Sequence, residues 1–257
     1  MEKSTVQSVE RTFDIIEALS QAPKGIGLSG LSSATSLNKS TVHRLLGCLI
    51  KMGYVAQDEN SAKYYLTIKM YEVGGRILNK LDMMTIARPY LEKLSNITGE
   101  AVHLVVRDGV DIVYIFKEDA GNNSVRMASQ VGLRSPMYCT AVGKAILAEL
   151  PDKDVSAIWD KSIIVKRTKN TITAFDELKE QLDVIRTKGY ALDNEENELD
   201  VRCVGASILD NTGKAIGAFS VTAPVGRMNS DRLLLISDLV LKTRKEICAE
   251  LGFNPGI

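Results

Sequence analysis

A chain of 257 residues is long enough for two domains, and 45% hydrophobic with 25% charged side chains is the make-up of a soluble globular protein. Its 32 basic residues balance 32 acidic ones, so net charge by itself gives no hint of nucleic acid, but residues 1–80 hold ten Lys and Arg against seven acids. The four cysteines, Cys48, Cys139, Cys203 and Cys248, form no CxxC pair, which speaks against a metal knuckle or disulfide framework and for reduced thiols in a cytoplasm. No apolar leader opens the sequence, and the most apolar run, 233–241, is interrupted by Ser237 and Asp238, so a cytoplasmic protein without a membrane segment is expected.

In chain order, Val9, Phe13, Ile16, Ala18 and Leu19 predict an amphipathic helix that ends before Pro23. Leu28, Leu31 and Ala34 predict a short second helix, with Gly27 as N-cap and Ile26 stapled onto Leu31 from outside. After a turn over 35–37, Asn38 caps a third helix whose stripe is Val42, Leu45, Leu46, Leu49 and Ile50, the spacing of one buried face. Its other face carries Ser40, Arg44, Gly47 and Lys51, while Lys39, Thr41 and His43 crowd its first turns. Two helices joined by so short a turn, the second with a cationic entry end, predict a helix-turn-helix. The runs 54–57 and 64–66 flank the polar turn 58–63 as a wing that places Lys63 and Tyr64 to reach a phosphate or a groove. An ordinary helical bundle is the plain alternative, but tight turn, cationic end and trailing wing coincide here.

A helix over 68–81, weakened by Gly74 and Gly75, is the expected connector. A further helix through Ile86, Leu91 and Leu94 stops at Gly99, with Pro89 marking its first turn or a kink. The runs 101–106 and 110–116 then read as a hairpin across Arg107-Asp108-Gly109, and 125–131 as another strand. Helices follow at 140–150 and 173–188, then a hairpin pairing 201–209 with 214–222, then a closing helix over 231–251. Hairpins separated by helices predict an α+β fold built on an antiparallel sheet. A helix starting at Thr140 exposes free peptide N–H groups at Thr140, Ala141 and Val142, beside side chains small enough for a carboxylate to approach.

Several motifs in order resemble the IclR family of bacterial transcription regulators. They are Lys39-Ser40-Thr41-Val42-His43-Arg44-Leu45-Leu46, the wing ending in Tyr64-Tyr65-Leu66, the segment Cys139-Thr140-Ala141-Val142-Gly143-Lys144-Ala145, and the run from Gly189-Tyr190-Ala191 through Asp193, Glu195 and Glu196 to Arg202-Cys203. The resemblance implies a winged helix-turn-helix domain over 1–67, a linker helix over 68–82 and a GAF-like effector-binding domain over 83–257. It also implies a dimer or dimer of dimers on a palindromic double-stranded operator, repression released by a small carboxylate effector, and no cofactor. Tyr54 to Gln57, Glu100 to Leu104, Ile112 to Ile115 and Asp193 to Glu196 are similar to the branch that responds to 2-keto-3-deoxygluconate.

By the same resemblance, Lys39, Ser40, Thr41, His43, Arg44, Lys63 and Tyr64 face DNA. Cys139, Thr140, Ala141, Val142, Asp193, Cys203, Ser220 and Thr222 are expected to contact the effector, with His103, Leu104 and Tyr114 as a wall. Asp193 is an odd neighbour for an acid unless it accepts hydrogen bonds from sugar hydroxyls, which favours a hydroxylated acid. Asp200 stands where the family usually has Gly, and Thr222-Ala223-Pro224 replaces its common Ser-Gly-Pro, so the loop 194–200 is expected to close differently.

Each assignment has a plain rival: Cys203 as a buried strand thiol, His103 as a structural histidine, the acidic run 193–200 as a solvated loop, Thr140 as a helix cap. The alternative function is an enzyme acting on a sugar acid, with an accessory helical domain. Its signals are weaker. Gly25-Ile26-Gly27-Leu28-Ser29-Gly30 matches GxGxxG yet follows a helix, Cys139 with His103 lacks an orienting partner, and the spacing of His103, Asp193 and Cys203 is not diagnostic of a metal.

Overall fold

The computed structural model describes residues 6–78, 83–119 and 130–253. The chain divides into two compact units, Met1–Lys80 and Leu81–Ile257. Among the described residues no helix is long and apolar enough to cross a membrane.

The first unit runs α1 (Gln7–Ser20), α2 (Leu28–Thr35), α3 (Lys39–Lys51), β1 (Val55–Gln57), β2 (Tyr64–Leu66) and α4 (Ile68–Leu78). Ser36, in the left-handed region at φ 54°, turns the chain sharply between α2 and α3, and Ser32 holds the corner by donating to the Leu37 carbonyl at 2.6 Å. Ile15, Leu19, Leu31, Val42, Leu45, Leu46, Leu49, Val55 and Tyr64 form the core. Two expectations need correction. The buried face of α1 is Ile15 and Leu19, leaving Val9 and Phe13 more than half exposed, and Ile50 lies at the edge of the α3 stripe with 40% exposure. Ile26 packs against the cluster that includes Leu31 and also lies close over Gly30, where an added Cβ would stand 2.7 Å from its Cγ1.

The second unit holds α5 (Met83–Thr98), β3 (Ala101–Asp108), β4 (Asp111–Glu118), β5 (Arg134–Pro136), α6 (Ala141–Ala148), α7 (Asp152–Lys161), α8 (Phe175–Lys188), β6 (Ala191–Asn194), β7 (Val201–Leu209), β8 (Ala215–Pro224) and α9 (Ser230–Glu250). The strands make one antiparallel sheet in the order β5-β4-β3-β8-β7-β6. Gly109, at φ +68°, opens the two-residue turn between β3 and β4, and Gly189, at φ +78°, caps α8.

Strand alternation assigns each face. Val102, Leu104, Val204, Phe219 and Val221 pack under Leu91, Leu94, Ile236 and Val240 of α5 and α9. Val105, Ile112, Ala191 and Ala218 face Ile146, Leu178, Leu182 and Val155 of α6, α8 and α7. Pro89 lies inside α5 rather than in its first turn. The helix α7 and the short strands β5 and β6 were not expected. The strand anticipated at 125–131 falls mostly on 125–129, outside the described residues, and 130–131 are not strand; residues 79–82 of the expected connector also lie outside them.

Candidate functional site

In the first unit, Val42, Leu45, Leu46 and Leu49 bury one side of α3 and leave Lys39, Ser40, His43 and Arg44 exposed, with Thr41 half-buried. Lys63 is exposed and, with Lys24, Asp58 and Tyr65, lines a groove of about 500 Å³ between the end of α1 and the wing. Tyr64 is a correction. It is only 5% exposed, in the core, because successive strand residues point to opposite faces and Tyr65 takes the outward one.

In the second unit, a cavity of about 330 Å³ opens where the start of α6 meets the sheet. Thr140 caps α6: its hydroxyl accepts from the Gly143 N–H at 3.2 Å and donates to the Pro136 carbonyl at 2.9 Å. The cap occupies the Thr140 side chain, and Thr140, Ala141 and Val142 line the cavity at a helix start, where the first peptide N–H groups have no intrahelical acceptor. The cap geometry also depends on Gly143, since a Cβ there would collide with the backbone of Met137.

The sheet supplies the opposite wall. Register aligns Asp193, Cys203 and Thr222 across β6, β7 and β8, and His103 with Ser220 across β3 and β8, and all five line the cavity. The Thr222 hydroxyl lies 3.2 Å from both His103 Nδ1 and Cys203 Sγ. Donating to Cys203, it accepts from a protonated Nδ1, which makes one chain from imidazole to thiol. Burial and Lys117 pull His103 down to about 4, so the ring is neutral at neutral pH, and it meets Tyr114 edge-on at 5.4 Å. Burial pushes Tyr114 up to about 12.

Asp193 is the cavity's unusual group. Its Oδ1 accepts from the peptide N–H of Glu196 at 2.8 Å and of Asn197 at 3.3 Å, yet burial and the nearby Glu196 raise it to about 7. Glu196, itself pushed up by burial, is held by Lys144 Nζ at 2.5 Å, and Lys144, wholly buried on α6, also donates to Gln181 Oε1 at 3.1 Å. The run 193–200 is thus no freely solvated loop: Asp193 and Glu196 are inside, and Thr168 and Thr171 donate to the Glu195 and Glu196 carbonyls at 2.5 and 2.6 Å. Asp200 adopts φ +62°, a conformation that favours glycine.

Two predicted contacts are not on the cavity. Leu104 is fully buried on the opposite face of the sheet, because adjacent strand residues alternate and His103 takes the cavity side. Cys139 is fully buried just before the cap, its Sγ 3.8 Å from Asn197 Oδ1. Burial pushes the Cys139 thiol up to about 12 and Cys203 well above its usual range, so neither presents a thiolate nucleophile at neutral pH. Among the described residues no group of three His, Cys, Asp or Glu is arranged to hold a metal ion. Unanticipated lining residues are Leu133, Arg134, Ser135, Arg167, Asn197, Glu198 and Val201. The first three come from β5 and the turn before it, Val201 from the start of β7, and the rest from loops.

Residues 8–59 match the IclR helix-turn-helix domain and residues 75–249 match the bacterial transcriptional regulator IclR C-terminal model. The chain belongs to the IclR family. It is 36% identical over 250 residues to the HTH-type transcriptional regulator KdgR of Escherichia coli, spanning 97% of this chain and 94% of that one. It is 35% identical to the DNA-binding transcriptional repressor YiaJ of the same organism, over 96% and 89% of the two chains. The crystal structure of the Thermotoga maritima IclR superposes with a TM-score of 0.65 at 30% identity, covering 96% of this chain and 99% of that one. As an IclR-family member, this chain is a transcriptional regulator: its first matched domain implies DNA binding and its second implies binding of a small-molecule effector.

Proposed function

We propose that this IclR-family chain is an operator-binding repressor released by a hydroxylated carboxylic acid of the 2-keto-3-deoxygluconate type. The observation that carries the effector assignment is the cavity's polarity: a helix start at one wall and Asp193, raised to about 7, at another. The peptide N–H groups of Thr140, Ala141 and Val142 take the carboxylate. Asp193, Cys203, Ser220 and Thr222 take hydroxyl or keto oxygens, with His103 and Tyr114 as walls. Likeness to KdgR over nearly the whole chain supports the same choice.

On this reading residues 1–67 serve DNA binding, 68–82 link the two units and 83–257 bind the effector. A symmetric dimer sets two α3 helices in successive major grooves, with Lys39, Ser40, Thr41, His43 and Arg44 toward bases or phosphates and Lys63 on the backbone. The exposed apolar side chains of Val6 at the N-cap of α1 and of Val9 and Phe13 on it, at spacings of three and four, support self-association of this unit.

Fluorescence anisotropy on DNA from the gene's own upstream region, with and without 2-keto-3-deoxygluconate, tests both halves. Specific binding that weakens with the acid is expected. Binding indifferent to it removes the effector assignment, and no specific binding removes the operator reading.

A further inference from the structure

The charge inside the cavity does not balance for an acid ligand without one further residue. Asp193 and Glu198 both line it, and at neutral pH His103 brings no positive charge. Arg134 lines it as well but is committed to Asp108. That leaves Arg167. Every other described arginine of the second unit donates its guanidinium to a carboxylate, carbonyl or amide oxygen. For Arg167 only the backbone N–H is engaged among the described residues, donating to Thr171 Oγ1 at 3.0 Å, while its side chain is exposed at the cavity.

The backbone beneath it is fixed. Thr171 Oγ1 also accepts from the Thr168 N–H at 2.8 Å and donates to the Glu196 carbonyl, and Thr168 reaches the Glu195 carbonyl, so the loop bearing Arg167 is tied to the loop bearing Asn197 and Glu198.

We propose that Arg167 is the specificity-determining cation of the cavity, meeting the effector's carboxylate from the solvent side while the first turn of α6 meets it from within. This rests on the effector reading above. A planar guanidinium can bind a carboxylate through two parallel N–H bonds, so it selects the ionised acid over neutral relatives of the same shape.

Calorimetric titration of the full chain with 2-keto-3-deoxygluconate, its methyl ester and pyruvate tests this, in wild type, Arg167→Gln and Arg167→Lys. Wild type is expected to prefer the free acids to the ester. Arg167→Gln should weaken binding of the acids by about ten- to a hundredfold, as loss of a charged hydrogen-bonding partner does, and barely alter the ester. Arg167→Lys keeps the charge without the fork and should fall between; it carries the test if a melting curve shows the Gln variant misfolded. Acid binding by Arg167→Gln at wild-type strength overturns the assignment of Arg167 while leaving the cavity as the effector site. Wild type that binds none of the acids overturns the effector reading and this inference with it.

Discussion

Lys144 Nζ stands 2.5 Å from Glu196 Oε1 with both side chains almost wholly withdrawn from water. The helix whose start lines the cavity is thereby joined to the loop that lines it opposite. The second Glu196 oxygen has no hydrogen-bond partner among the described residues, so the pair is under-solvated on the carboxylate side. Lys144→Met leaves Glu196 buried without its cation, and a loss of roughly 3 to 5 kcal/mol in unfolding free energy is expected. The double variant Lys144→Met/Glu196→Leu should recover most of that, because replacing both members removes the buried charge altogether. Chemical denaturation of the three proteins checks this; a double variant no more stable than the single one refutes it.

Asp193 makes a pH prediction. Its carboxyl is raised from the ordinary 3.8 to about 7, mainly by burial, so the folded state holds the proton more tightly than the unfolded chain. The stability it contributes is fully present below 3.8 and is lost as pH rises through about 7. Asp193→Asn keeps an oxygen for the N–H groups of Glu196 and Asn197 but cannot ionise. The variant's melting temperature relative to wild type should rise between pH 5 and pH 8, by an amount worth on the order of a few kcal/mol at most. A difference constant across that range defeats the prediction. Acid effectors should likewise bind wild type more weakly as pH climbs through about 7, as Asp193 gains charge beside them.

Gly143 is fixed by space, since a Cβ would strike the Met137 backbone and crowd the Thr140 hydroxyl that caps α6. Gly143→Ala should cost about 1 to 3 kcal/mol from overpacking and weaken effector binding along with it. Thr140→Ser retains the capping oxygen and should leave the melting temperature within a few degrees of wild type; equal tolerance of both changes counts against the cap.

On DNA, Arg44→Ala should lose about 1 to 3 kcal/mol of operator affinity if its contact is bidentate to guanine, with relaxed preference at that base pair. Lys63→Ala should instead weaken all sequences alike and reduce the salt slope by about one. The two wing tyrosines should separate. Tyr64→Ala empties the core and should cost about 3 to 5 kcal/mol of stability, as other buried aromatic truncations do, whereas Tyr65→Ala, on the outer face, should leave the melt nearly unchanged.

Most of the architecture was legible because it is periodic. The α3 stripe, the Gly109 hairpin and the Gly189 cap each announce themselves by spacing or by a residue with a conformational role. Two of the errors came where period two was not carried through side chain by side chain: Leu104 and Tyr64 each sit one residue from a position that faces outward or into the cavity. The short β5 and β6 carry too few residues to alternate visibly. Arg167, Asn197 and Glu198 come from irregular segments, whose placement is set by the Thr168 and Thr171 hydrogen bonds, contacts across about 25 residues that no local pattern encodes. The Lys144–Glu196 pair spans 52 positions and was invisible for the same reason.

On β3, β7 and β8 the cavity and the α5/α9 core take alternate residues: His103 against Leu104, Cys203 against Val204, Ser220 against Val221. The sheet works as a two-sided ledger of positions, with cavity-lining residues on one face of these strands and the α5/α9 packing on the other. Mutation can therefore rewrite the ligand side, one letter in two, without disturbing the packing on the reverse. That separation gives a lineage of regulators a route to new signals while the framework that carries them stays as it was.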